Sequence, residues 1–209
     1  NLPSPKEMRD IEKATDILIQ KIYQKKRIRI ISDYDVDGVV SNYILYKGLS
    51  SCGAYVDYKI PDRVLDGYGI NENLIREAFE DGVDTILTCD NGIAAYHQIS
   101  YGKELGMTIV VTDHHDVPYE ENENGKQHIL PPADAVVNPK RPDCSYPYKT
   151  LCGAVVALKL IVNLYERFHK PANAWHEFIE FAAIATVCDV VSLTGENRVL
   201  VKEGLKHLN

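Results

Sequence analysis

Three short apolar runs rich in β-branched residues each end on an aspartate, and helical stretches lie between them. Ile28-Arg29-Ile30-Ile31 runs into Ser32-Asp33, Asp84 to Cys89 (DTILTC) into Asp90, and Met107 to Thr112 (MTIVVT) into Asp113-His114-His115. Ala54 to Ile60 and the short Ala135 to Val137 also read as strands. Strands that alternate with helices pair through crossovers, not hairpins, and so favour a parallel sheet covered on both faces. The expected fold is α/β, a parallel-type sheet of about five strands flanked by helices. Ligands of such sheets gather outside the carboxyl ends of the strands. The aspartates fall there.

Periodicity places the helices. Residues 5–24 read as an opening helix, with Ile11, Ile17, Leu18 and Ile22 among Lys and Glu. A second runs from Gly38 to about Ser51, and Asn71 is placed to cap a short one ending at Phe79. Ala94 to Leu105 reads as a helix stopped by Gly106. Segments near 151–169, 173–192 and 196–208 form a helical C-terminal part, with Thr194 placed to cap the last. Residues 117–150, rich in Pro, Asn, Glu and Tyr, read as a long loop broken by Ala135 to Val137. No repeat or compositional boundary divides the chain, so residues 1–209 are expected to form one domain. The sequence has no initiator Met and ends on Lys206-His207-Leu208-Asn209, which reads as a piece of a longer protein.

Hydrophobic residues make up 45% of the chain and charged residues 25%, which excludes a disordered polymer. No apolar run approaches the ~20 residues of a membrane helix. NLPSPKEMRD at the N-terminus holds no signal-peptide core. Five cysteines, an odd number without a CxxC, argue against a disulfide framework or zinc knuckle and for a reducing, cytoplasmic setting. A net charge of −7 argues against a polyanion binder, unless the acidic excess is concentrated where metals neutralise it.

The acidic residues are indeed bunched. Asp33, Asp35 and Asp37, in DYDVDG, alternate directly after a strand, a costly arrangement unless cations share it. Oxygen-rich sites suit Mg²⁺ or Mn²⁺. A solvated acidic turn is the plain alternative, and a calcium loop of the EF-hand kind fails because its twelfth position is Ile44. Asp90 in TCDNG has the look of turn chemistry but shares the same sheet edge. In Asp113-His114-His115-Asp116 neighbouring His side chains on an extended backbone are expected to point apart, so that one ligates while the other faces substrate. Asp189 lies in the apolar stretch ATVCDVV, where an unpaired carboxylate is expensive to bury. Weaker candidates are Lys140 and Arg141 for phosphate contact, Tyr68 between Gly67 and Gly69 for base stacking, and the run Lys25-Lys26-Arg27 with Arg29, which is more simply a solvated edge. His97, His128, His169, His176 and His207 stand apart from the clusters, and no GxSxG elbow or nucleophile's cysteine is present.

DYDVDG, TCDNGI, TDHH and TVCDVV, in this order and spacing, resemble the four motifs of the DHH phosphoesterases. Within that superfamily the chain most resembles the RecJ type of single-strand-specific 5′→3′ DNA exonucleases, through IPDRVLDGYGIN (60–71), VVNPKRPDCSYPYKTLCGAVVALKL (136–160) and LTGENRVLVKEGLKHL (193–208). The resemblance implies two divalent metals, Mn²⁺ or Mg²⁺, with Asp35 and Asp37 ligating one each, Asp90 bridging, and His114 and Asp189 completing the ligands of the second metal. It implies that His115 faces the scissile phosphate, that Asp113 orients a His, and that Asp33 ligates or positions water. Many members carry a His four residues before the central Asp of the first motif. Here that position is Ile31, so the first metal would lean on Asp33 or water. Two divalent ions would return four charges and take −7 to −3.

The resemblance further implies single-stranded DNA as substrate, replication or repair proteins as partners, and downstream substrate-binding and OB-like domains that these 209 residues lack. Two rival readings stay open. A DHH enzyme acting on nano-RNA, pAp, a cyclic dinucleotide or pyrophosphate fits the same motifs. A catalytically inactive nucleic-acid-binding relative is the other, although such proteins lose motif carboxylates that this chain keeps.

Overall fold

A computed structural model describes residues 2–62, 67–123 and 125–208. Residues 63–66, the middle of the IPDRVLDGYGIN stretch, lie outside the described residues.

In chain order the elements are α1 (Ile11–Tyr23), β1 (Arg27–Ser32), α2 (Val36–Ser51), β2 (Tyr55–Lys59), α3 (Glu72–Glu80), β3 (Thr85–Cys89), α4 (Tyr96–Glu104), β4 (Thr108–Thr112), β5 (Tyr119–Asn122), β6 (Gly125–His128), β7 (Ala135–Val137), α5 (Gly153–Arg167), α6 (Ile179–Cys188) and α7 (Gly195–His207). The main sheet has five strands in the order β2-β1-β3-β4-β7, and every pair is parallel. The class and strand number expected from the sequence are those observed.

Alternation along each strand sorts the core into two layers. Ile28, Ile30, Leu87, Cys89, Val110, Ala135 and Val137 face one way, against α1, α2 and α5 with the helices that follow. Ile31, Ile86, Ile109, Val111 and Val136 face the other way, against Leu74, Ile75 and Ala78 of α3 and Ile99 of α4. Asn71 caps α3 as expected, its side chain accepting from the Leu74 N–H at 2.9 Å. No helix among the described residues is long and apolar enough to cross a membrane.

The local differences from expectation have physical causes. The opening helix is interrupted. A 3₁₀ turn covers Pro5–Glu7, and α1 starts only after Asp10, which sits at φ 63°. Asp10 is held there because its carboxylate accepts hydrogen bonds from the Val136 N–H and the Arg141 guanidinium. The long loop is also more ordered than its composition suggests, since β5 and β6 pair as an antiparallel hairpin before β7. Both hairpin strands are fully exposed and lack the apolar alternation that marks a half-buried strand. The segment 173–192 divides into a 3₁₀ turn, Ala174–Phe178, and α6, which ends at Cys188. Thr194 occupies the N-cap of α7, but its side chain makes no capping bond.

Candidate metal centre

Parallel register delivers the carboxylates. Ser32 is level with Cys89, and Cys89 with Thr112, so the next residues, Asp33, Asp90 and Asp113, leave the sheet side by side. The chain turns sharply there: Asp90 is held at φ 59°, and the Asn91 side chain donates to the Ile31 and Cys89 carbonyls while accepting from the Ile70 N–H. Asp35 caps α2, accepting from the Gly38 N–H at 2.8 Å, and Asp37 lies in the first turn, where the helix dipole favours negative charge. This helix start explains the alternating aspartates of DYDVDG.

Asp37 is held from a second side. Its two oxygens accept from the Gly153 N–H at 2.6 Å and the Ala154 N–H at 2.8 Å, the first amides of α5. His114 stands among the carboxylates. Its Nε2 lies 3.0 Å from Asp90 Oδ1 and 3.6 Å from Asp37 Oδ2, and its Nδ1 lies 3.8 Å from Asp189 Oδ2 at the end of α6. Three sets of ligand atoms fall within 4.8 Å of one another: Asp33, Asp35 and Asp90; Asp90, His114 and His115; Asp37, His114 and Asp189. Asp90 and His114 each belong to two sets.

The donors fit divalent cations. Asp33 Oδ1, Asp90 Oδ1, His114 Nε2 and Asp189 Oδ2 are buried and make no hydrogen bond among the described residues. Buried polar atoms are ordinarily satisfied. Burial pushes Asp33, Asp37, Asp90 and Asp189 above the usual carboxylate range, with neighbouring carboxylates adding to it at Asp33, Asp90 and Asp189. Packed oxygens that resist sharing negative charge form a site that Mg²⁺ or Mn²⁺ relieves. Ile31 is fully buried in the β1 core and offers nothing to the centre.

His115 differs from His114 in surroundings. It is half-exposed, and its Nδ1 lies 2.7 Å from Asp113 Oδ1, which also accepts the His114 and His115 backbone N–H groups. Burial would raise the Asp113 carboxyl, but the bond and charge of the His115 ring, with a bond from the Ile93 N–H, outweigh it and hold it below the usual range. The hydrogen bond to Asp113 in turn raises the His115 pKa. The two rings do not point apart as an extended backbone would place them. Their centroids are 4.4 Å apart, because β4 stops at Thr112 and residues 113–115 fold around the Asp113 carboxylate. Asn138, which the sequence reading passed over, clamps this turn by donating to the His115 carbonyl at 2.9 Å. Its only signal was its place at the end of β7.

Tyr68 lies at the mouth, its hydroxyl 3.2 Å from His115 Nε2. Beside it a cavity of about 200 Å³ extends past Ile70, Ile93 and Gln98. Lys140 also reaches the mouth, paired with the exposed Asp116 at 2.9 Å. Arg141, offered by the sequence for phosphate contact, is already fully partnered within the chain. Its buried guanidinium is taken up by Asp143, Asp10 and the Val136 carbonyl, because a buried cation needs partners and the adjoining loop supplies them. The Lys25-to-Arg29 run lies at the opposite, N-terminal end of β1, where Arg29 pairs with Asp57 and Asp81.

The profile of the DHH family, N-terminal domain, matches residues 27–186, and the chain belongs to that family. It is 40% identical over 204 residues to the single-stranded-DNA-specific exonuclease RecJ of Bacillus subtilis (strain 168), covering 98% of this chain and 24% of that protein. A crystal structure of exonuclease RecJ bound to manganese superposes with a TM-score of 0.82 at 36% identity, over 95% of this chain and 48% of the other. RecJ from Thermus thermophilus in complex with Mn²⁺ gives a TM-score of 0.76 at 34% identity, over 95% of this chain and 27% of that one. The chain thus spans about a quarter of the length of its Bacillus relative.

Proposed function

We propose that this chain is the DHH-type catalytic domain of a RecJ-like enzyme that hydrolyses phosphodiester bonds of single-stranded DNA in the 5′→3′ direction with two divalent metals, Mn²⁺ or Mg²⁺. The observation that carries it is the convergence of three strand-end or helix-end carboxylates, Asp37, Asp90 and Asp189, on His114 with buried ligand atoms left unsatisfied. The Bacillus relative, named for its exonuclease activity, and the manganese-bound RecJ structure support the same reading.

In this reading Asp33, Asp35, Asp37, Asp90, His114 and Asp189 hold the cations. The chemistry such ions supply when bound is acidification of a water and charge compensation at the attacking and leaving oxygens. Asp113 orients His115, which presents a readily protonated ring to a phosphate oxygen at the mouth. Lys140 neutralises a neighbouring phosphate, and the Tyr68 ring offers a face to a base. Single-stranded DNA is the partner, with replication or repair proteins joining through the longer protein. Five free thiols, four of them buried, suit a reducing cytoplasm.

The test is digestion of a 5′-labelled single strand and its duplex by the 209-residue chain with Mn²⁺. Mononucleotide release from the single strand alone, abolished by chelation and by Asp90→Ala, is the expected result. Turnover confined to di- or trinucleotides would replace this reading with the small-nucleotide one. Absence of turnover with Mn²⁺ bound would replace it with the inactive binding module.

A further inference from the structure

The α5 N-terminus meets the metal centre through a residue with no side chain. Cys152 is the N-cap of α5 and makes no side-chain capping bond, so the Asp37 carboxylate takes the role from another helix. Gly153, the first residue of α5, does not sit at positive φ, so its backbone suits any residue. Space is what excludes a side chain. A Cβ there would lie 2.7 Å from Asp90 Oδ1, 2.8 Å from Asp90 Cβ and 3.0 Å from Asp37 Oδ2. The same two carboxylates flank His114 Nε2 at 3.0 and 3.6 Å.

We propose that Gly153 is a positioning residue of the metal centre: its missing side chain lets the α5 amides grip Asp37 while Asp90 reaches His114, and so sets the spacing of two metal-holding carboxylates. This rests on the metal-centre reading above. Asp90 is buried between the end of β3 and α5, so it cannot swing into solvent to make room. A methyl group would push either Asp90 off His114 or α5 off Asp37. Gly48 supplies the contrast. The three atoms nearest a Cβ there all belong to the Ile161 side chain, at the same α2–α5 contact but away from the carboxylates.

The experiment compares Mn²⁺ binding by calorimetry in the parent chain, Gly153→Ala and Gly48→Ala, with melting of each metal-free protein. Both variants are expected to melt below the parent. Gly153→Ala alone is expected to bind Mn²⁺ about 10- to 100-fold more weakly, the range for residues that orient metal ligands. Binding by Gly153→Ala no weaker than by Gly48→Ala overturns the proposal. A parent that binds no Mn²⁺ removes the metal-centre reading itself, and the proposal with it; the parent isotherm alone reports that failure. Should Gly153→Ala not fold, the metal-free double variant Gly153→Ala/Asp90→Gly, which removes both the Asp90 carboxylate and its Cβ, decides. Recovery of a cooperative melt upholds the clash with Asp90, and continued unfolding overturns it.

Discussion

Asp90 shows how much one residue's neighbours decide. Asp-Asn-Gly is turn chemistry wherever it occurs, yet here the carboxylate is buried, orphaned at Oδ1 and 3.0 Å from His114. Asp90→Ala is expected to abolish tight Mn²⁺ binding at one or both positions; calorimetry showing two ions held as tightly as in the parent would remove Asp90 from the centre. The histidines should separate by kind. His114, buried among carboxylates, is expected on replacement by Ala to cost metal affinity. His115, turned to the mouth and held by Asp113, is expected to cost kcat by about 10²–10⁴-fold with Mn²⁺ still bound. Single-turnover rates measured alongside calorimetry check the pair, and the reverse pattern would exchange the roles. The expectation of one ligand and one substrate-facing ring was already carried by TDHH. That the rings lie side by side was not, because it depends on where β4 stops.

Among the elements, β1 is tied to its edge neighbour β2 by charge as well as by backbone pairing. Arg29 Nε donates to Asp57 Oδ1 at 2.8 Å, and Arg29 also pairs with Asp81 at 2.8 Å. Burial alone would raise the Asp57 carboxyl, but the bonds from Arg29 and Arg27 outweigh it and its pKa lies below the ordinary carboxylate value. A folded value below the unfolded one, near ~3.9, stabilises the fold fully above that pH. The contribution is lost as pH falls through the folded value. Asp57→Asn is therefore expected to melt about 2–4 °C below the parent near neutral pH, with the gap closing in strong acid. A gap that persists unchanged at about pH 2 would assign the loss to packing rather than charge. Arg27 and Arg29, in the basic run that the sequence reads as a solvated edge, thus serve the sheet. Composition records the run's charge but not which end of β1 it occupies.

Over the whole molecule, the −7 net charge weighs against a strong grip on DNA by these residues alone. Phosphate contacts are the salt-sensitive part of binding. Arg141 is consumed internally and Lys25 to Arg29 lie at the far end of the sheet, leaving Lys140 as the cation of the sequence-derived clusters that reaches the mouth. Mn²⁺-dependent turnover of a small activated phosphodiester is expected, with weak and barely processive digestion of long single strands that fades further between low and moderate salt. A degradation ladder from a 3′-labelled strand checks this, and processive digestion at moderate salt would place the grip within these residues after all. By itself the sequence determined the five parallel strands, because alternation of short β-branched runs with helices admits few other arrangements. It also determined that Asp33, Asp90 and Asp113 share an edge, because parallel strands present the same end. Only the tertiary structure decided that Asp37 is gripped by α5, that Arg141 is spent on Asp10 and Asp143, that Asn138 clamps the His115 turn, and that Gly153 must lack a side chain. Apart from the local Arg141–Asp143 pair, each joins residues far apart in the chain, and such contacts follow from how helices and loops pack in three dimensions, which local pattern does not encode.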